Sequence, residues 1–298
     1  MQALSTKTVS LQWQDDISLR KIASHYRSGV IITWILLLAE SIAMLLFPLA
    51  IGFSVDSLIN ESNTGIIALG VLCAVVLVFA AGRRFYDTRV YAAIYRDMAT
   101  TLVEQKRGNG VATTTLTAQV NLLYEIVEFF ENSLPSLIGA AIAFFGVTVM
   151  LGLIDLWVMA SCLLASVLVI LIYALSEKRI FAYNKHQNDE LEKQVDVLKE
   201  NRRRRVHVHF GRIMKWNIKL SDLETLNYSG VWVVMALMLI LSIILVVGNT
   251  EISYGQKITS IMYVFEYIEV VMSFPLFYQE IIRLQEITGR LSQPATSQ

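Results

Sequence analysis

The stretch LPSLIGAAIAFFGVTVMLGLIDLWVMASCLLASVLVILIYAL, residues 134–175, decides the fold. Its halves, 134–153 and 156–175, each match the roughly 20 apolar residues needed to cross a hydrocarbon core about 30 Å thick. Little more than Ile154-Asp155 separates them, so the pair reads as a helical hairpin in a bilayer. Similar pairs flank it. Spans 29–55 and 65–81 are joined by a turn holding Asp56, Asn60 and Glu61 but no Lys or Arg, and spans 231–248 and 258–282 are joined by residues 249–257. The other two connections, 82–133 and 176–230, are long, strongly charged and helical in pattern. A soluble domain has no use for that alternation. A membrane protein with long helical arms on one side does.

The totals agree. The chain is 55% hydrophobic and 17% charged, against about 25% charged for soluble domains. Buried helices of a large soluble protein average about 12 residues, too short for these spans. Span 65–81 is the shortest, but it runs on without a break into a helical pattern beyond Arg83. Net charge is zero, so nothing points to nucleic acid.

Charge placement says more than its sum. Arg20, Lys21 and Arg27 precede the first span. Arg83, Arg84, Arg89, Arg96, Lys106 and Arg107 lie in the first long connection, and the second carries twelve basic residues from Lys178 to Lys219. The short turns hold only Lys257. The positive-inside rule puts both termini and both arms in the cytoplasm of a multi-pass inner (plasma) membrane protein. No cleavable signal peptide is expected, because the first apolar run is too long and no small-residue cleavage site follows it. Cys73 and Cys162 lie inside spans and read as packing residues rather than a disulfide or metal site.

Within the arms, Phe85, Val90, Ile94, Met98 and Leu102 fall near helical spacing up to Glu104. A turn signal follows at Lys106-Arg107-Gly108-Asn109-Gly110. A second helix begins near residues 113–117 and passes through Leu122, Ile126, Phe129 and Phe130, with a kink predicted at Pro135. The other arm repeats the plan: a helix over 176–201, a reversal at Arg202-Arg203-Arg204-Arg205, and a helix climbing back over 212–227. The four-Arg run reads as a solvated tip, with binding of anionic headgroups as the functional alternative. His207 and His209, two apart, read as exposed and without function.

These features together resemble the six-helix transmembrane domain of ABC exporters. The likeness rests on Phe47-Pro48-Leu49 followed by Asp56 at the end of span one, and on Tyr95-Arg96-Asp97-Met98 beyond span two. Asp155-Leu156-Trp157 before span four and Glu251-Ile252-Ser253-Tyr254-Gly255 before span six complete it. The ordered set carries the resemblance, and it covers nearly the whole chain. It implies that spans one and six line a translocation path and that two six-helix units form the transporter. Two departures stand out. No Gly-x-x-x-x-Gly-Lys-Ser/Thr loop occurs, so this polypeptide is expected to hold no nucleotide and to be no enzyme. The arms also look shorter than their family counterparts.

Acidic residues fall within the spans. Glu40 is read near the centre of span one, and Glu266 and Glu269 near that of span six. A charge at mid-membrane costs about 2.5–3.5 kcal/mol on insertion scales, so such groups face an interior or water. Glu266 and Glu269, three apart, share a helix face that extends through Met262 and Ser273 with Tyr263 beside it; Thr33, Glu40, Met44 and Phe47 share a side of span one. Repulsion and desolvation disfavour a doubly charged Glu266/Glu269 pair, which suits proton carriage. The structural alternative is that the glutamates pair with one another, with backbone or with tyrosine hydroxyls. Pro275 in span six could act as a hinge, and Phe265, Tyr267, Phe274, Phe277 and Tyr278 read as packing or lipid-facing.

The expected organisation is a cytoplasmic segment over 1–28, an all-α six-helix ABC-exporter-like transmembrane domain with long cytoplasmic extensions over 29–290, and a tail over 291–298. The expected protein is a homodimeric transporter subunit moving a cationic, peptide or metal-associated substrate by alternating access. The candidate substrate and proton pathway is Glu40, Glu266, Glu269, Met44, Met262, Tyr263 and Ser273. No metal, catalytic residue or cofactor is expected, with ATP entering only through a separate ATPase subunit. The alternatives are a transmembrane half powered by that ATPase and a membrane scaffold or regulator that transports nothing.

Overall fold

A computed structural model describes residues 27–108, 113–200 and 202–292. Arg20 and Lys21, the predicted turn at Asn109-Gly110 and the tail from residue 293 lie outside the described residues. The elements are α1 Arg27–Leu45, α2 Phe47–Ile59, α3 Thr64–Gly108, α4 Thr113–Glu128, a π-helical turn Phe129–Ser133, α5 Leu134–Ile154, α6 Leu156–Glu192, α7 Gln194–Lys199, α8 Arg203–Gly248 and α9 Tyr254–Ser292. Six helical stretches are long and apolar enough to cross a membrane: Arg27–Ile59, Thr64–Gly108, Thr113–Ile154, Leu156–Lys199, Arg203–Gly248 and Tyr254–Ile282. Spans two, four and five thus continue into their arms as single long helices.

The chain divides into two compact units, one reaching to Gly146 and resuming at Ser273, the other Val147–Met272. In the first, α1, α2 and α3 form an antiparallel hairpin. Pro48 lies in the first turn of α2 and cannot donate to the helix ladder, so span one breaks at Leu46. At the turn, Glu61 adopts the left-handed conformation (φ 58°). The Ser54 hydroxyl shares its one proton between Gly65 O across the hairpin, at 2.9 Å, and Ala50 O within its own helix, at 2.7 Å. Gly65 permits this approach: a Cβ there would lie 2.5 Å from Ser54 Cα and 2.7 Å from Phe53 O.

Beyond the apolar stretch, α3 and α4 pack through Tyr91, Ile94, Met98, Leu123 and Val127, with Val30 of α1 against them. Burying such a side chain contributes about 1.5–3 kcal/mol. The inward positions are Leu123, not Leu122, and Tyr91, not Phe85, which is exposed. A spacing of three or four from Asp87 through Tyr91, Ile94, Met98 and Leu102 tracks the buried face, and Phe85 falls off it. The predicted disturbance at Pro135 takes the form of the π turn: Leu134 N–H bonds Phe129 O, one residue further back than in an α-helix. The same turn is tied to α9, where Ser133 donates to Glu280 at 3.0 Å, and Phe144 of α5 packs on Phe274 with ring centroids 5.4 Å apart.

In the second unit, α6 and α8 pack antiparallel along their length. Asp155 is the N-cap of α6: its Oδ1 accepts from Trp157 N at 2.9 Å and Val158 N at 3.3 Å, and its Oδ2 accepts from Asn249 Nδ2 at 2.8 Å. That explains the tight Asp-Leu-Trp turn of the sequence. Buried polar pairs recur along the two helices: Ser161 with Ser242 at 3.2 Å, and Ser176 Oγ donating to Asn227 Oδ1 at 2.6 Å. Further along the arm, Trp216 stacks on His186 (centroids 4.5 Å apart), with Lys219 Nζ 4.7 Å from the indole.

Three arm expectations need correction. The helix leaving span four ends at Glu192, and a short α7 follows. The returning helix begins at Arg203, not near residue 212, so Arg203, Arg204 and Arg205 form its first turn rather than a loop tip. Three cations at a helix N-terminus oppose the helix dipole, and Arg205 pairs with Glu200 of the reversal. His209 is buried, not exposed, because helical phase turns it inward while His207 faces out; its Nδ1 lies 3.6 Å from Glu190.

Candidate functional site

Polar groups gather at two places within or beside the apolar helices. The first is α9, whose faces differ sharply. Tyr263, Val264, Tyr267 and Val271 are buried, and Tyr267 is fixed by a 2.7 Å hydrogen bond between its hydroxyl and that of Ser166 on α6. On the other side Met262, Glu266 and Ser273 are half-buried and Glu269 is exposed, in a stripe of helical spacing. Among the described residues, no ion pair reaches Glu266 or Glu269. Glu266 lies about 18 Å along the helix from Tyr254, deep in a hydrocarbon layer. Tyr263, placed beside this stripe in the sequence reading, is wholly buried. Phe265 faces outward, and α9 runs through Pro275 without a break.

The second place is the hairpin of the first unit. Arg83 on α3 donates its Nε–H to Glu40 on α1 and Nη1–H to Asp87 Oδ2 at 3.1 Å. Arg83 lies about 28 Å along α3 from Thr64, and Glu40 about as far back from Ile59. Glu40 therefore sits near the arm end of the apolar layer, not at its centre. Asp87 and Thr33 are buried at 3% and 2% exposure. Thr33 lies near enough to favour the charged form of Asp87, yet neither Thr33 Oγ1 nor Asp87 Oδ1 attains hydrogen-bond geometry. Asp87 stands six residues beyond the span 65–81, and burial holds its carboxyl above the ordinary range despite Thr33 and Arg83. Met44, further along α1, is exposed.

The sequence-predicted pathway is thus divided: Glu266, Glu269, Met262 and Tyr263 belong to the second unit, and Glu40, Met44 and Ser273 to the first. Arg83, Asp87 and Thr33 were not singled out as a constellation. The signal existed. A carboxylate in an apolar span needs a counterion, and the antiparallel register that sets Ser54 against Gly65 brings residue 40 opposite the basic start of the arm.

Six apolar helices, three of them prolonged into long arms, define a multi-pass membrane protein. The family model described as "ABC transporter transmembrane region" matches residues 19–255. The chain belongs to that family. Comparison with curated proteins finds no match.

Proposed function

We propose that this chain is a transporter subunit whose transport is coupled to protons through Glu266 and Glu269. The arms and both termini lie in the cytoplasm and the spans in the inner membrane, a reading that the crowding of Arg and Lys in the arms supports. The observation that carries the reading is the acidic stripe of α9. Its opposite face is sealed by Tyr263 and Tyr267, while Glu266 and Glu269 meet no cation among the described residues. Two such groups facing lipid would each cost about 2.5–3.5 kcal/mol, so the stripe calls for water or a second copy. A homodimer whose two stripes line one aqueous path supplies both. Carboxylates there can exchange protons with water and attract a cationic, peptide or metal-associated substrate, while Met262 and Ser273 shape the wall. Glu40 belongs to the other unit, and its charge is already met by Arg83. The chain itself hydrolyses nothing, and ATP would act only through a separate subunit.

The test is proton flux into proteoliposomes holding the purified chain and a pH-sensitive dye, under an imposed pH gradient. Glu266→Gln with Glu269→Gln should abolish the flux in protein that still folds. Flux unchanged in that double variant would sink the proposal.

One observation favours a second reading, an ATPase on another chain. The six-residue helix Gln194–Lys199 at the arm tip exposes Val195 and Leu198, apolar side chains suited to docking. On this reading Val195→Asp with Leu198→Asp abolishes ATP-driven transport in membrane vesicles. Transport that survives the pair of substitutions excludes it.

A further inference from the structure

The cluster where α1 meets α3 holds one negative charge more than its arginine can meet. Glu40 and Asp87 share Arg83, which uses Nε for the first and Nη1 for the second. Asp87 Oδ1 is left enclosed and without a hydrogen-bond partner, and so is Thr33 Oγ1 beside it. The groups facing Asp87 are Glu40 and Thr33 from α1, and Arg83 and Tyr91 from one turn before and after on α3; Glu131 of the π turn acts on the Tyr91 side. Among the described residues, no cation besides Arg83 pairs with either carboxylate. A net negative charge enclosed this way is costly, and two unpartnered oxygens side by side add the desolvation cost of buried polar groups. A single proton removes all three penalties.

We propose that Asp87 is a proton-binding site, with the proton carried on Oδ1 and donated in a hydrogen bond to Thr33 Oγ1. The proton comes from water at the arm end of the spans, about 34 Å along α3 from Thr64, where the apolar layer has ended. Uptake forms one O–H bond at Oδ1 and takes the cluster from one net negative charge to none. Arg83 keeps both its partners throughout. Release reverses the step, and the recovered charge turns the Thr33 hydroxyl from acceptor to donor. The site bridges the start of span one and the root of the first arm, so its proton sets how firmly those helices are joined. This site is separate from the Glu266 and Glu269 pair and does not depend on their role.

Infrared difference spectroscopy tests it, following the protonated-carboxyl stretch of the purified full chain through a pH titration. The measurement is made in a Glu266→Gln, Glu269→Gln background, so that failure here is distinguishable from failure of the transport reading. A band is expected that shifts on aspartate-selective ¹³C labelling, titrates above the ordinary aspartate value of about 3.9, and disappears in Asp87→Asn. Thr33→Val should shift the frequency of the band, because the protonated carboxyl loses the acceptor of its hydrogen bond, and should raise the midpoint, because the charged form loses a stronger bond. If Asp87→Asn does not fold, the labelled chain and Thr33→Val still decide. No aspartate band above the ordinary range, or a band whose frequency is unmoved in Thr33→Val, overturns the proposal.

Discussion

Arg83 bridges two helices by holding Glu40 of α1 and Asp87 of its own α3 at once. The two carboxylates are not equivalent to it. Removing Glu40 leaves Arg83 paired with Asp87, whereas removing Arg83 leaves two enclosed carboxylates with no cation. Arg83→Gln should therefore destabilise the chain by about 3–5 kcal/mol, within the range for breaking a buried pair from one side. Glu40→Gln should cost about 1–2 kcal/mol, near that of a charge-assisted hydrogen bond. Thermal unfolding in one detergent checks the order. Equal losses would mean that the bridge does not bear on stability.

The same cluster makes stability depend on pH in a definite direction. Asp87 is held above its ordinary range in the folded chain, so the fold binds its proton more tightly than the unfolded chain does. That contribution is present at low pH and fades as pH rises from the ordinary aspartate value, about 3.9, through the raised folded value. Wild type minus Asp87→Asn should show stability falling with pH across that window. A flat difference, or one that rises, contradicts the direction.

At the opposite end of the hairpin the constraint is steric. A methyl group at position 65 would meet the backbone of Phe53 and Ser54, which cannot rotate away as a side chain could. Gly65→Ala should separate the helices there, break the Ser54 bond to Gly65 O and cost about 1–3 kcal/mol. Gly70→Ala, on the same helix with nothing within 4 Å of the added carbon, is the control and should be neutral or slightly stabilising. Equal effects at both positions would show that the close approach carries no weight.

The spans and the topology of hairpins were legible because a bilayer leaves the chain little choice: its length and apolarity set each crossing. The short turns were legible too, and Asp155 shows why, since one carboxylate both caps α6 and holds Asn249. The arms were read less well. Their buried faces are narrow and mix polar with apolar residues, so Tyr91 and His209 point inward where Phe85 and His207 do not. One helical residue is 100° of rotation, enough to exchange inside for outside. The acidic residues were found by type, but not their partners. Pairing Glu40 with Arg83 needs the register of the hairpin, which comes from the contact of Ser54 with Gly65 rather than from any local pattern.

Tyr267 fixes the rotation of α9 and with it the direction of Glu266 and Glu269. Its hydroxyl and that of Ser166 satisfy each other in an apolar surrounding. Tyr267→Phe and Ser166→Ala should each cost about 1 kcal/mol, the net contribution of one hydrogen bond. Combining them should cost less than the sum of the two. Unfolding of the three variants gives the coupling directly, and strict additivity would mean the hydroxyls do not interact.

Among the described residues, Ile213 and Leu223 are the apolar side chains that the second arm fully buries, which makes it a place where the chain opens early. Beyond Ser176 and Asn227, the joints between α6 and α8 are the stack of Trp216 on His186, Lys219 over the indole, and Glu190 beside His209. A stacked ring pair contributes about 0.5–1.5 kcal/mol and a cation over an indole about 0.5–1, so Trp216 alone accounts for a large part of the joint. Trp216→Ala should speed amide exchange roughly tenfold or more over residues 183–199 and 205–220, with little change where Ser161 meets Ser242. Trp216→Phe keeps a ring and should restore part of the protection. Exchange that quickens equally along the whole of α6 and α8 would mean the two helices open as one unit, and the arm would then have no stability of its own to regulate.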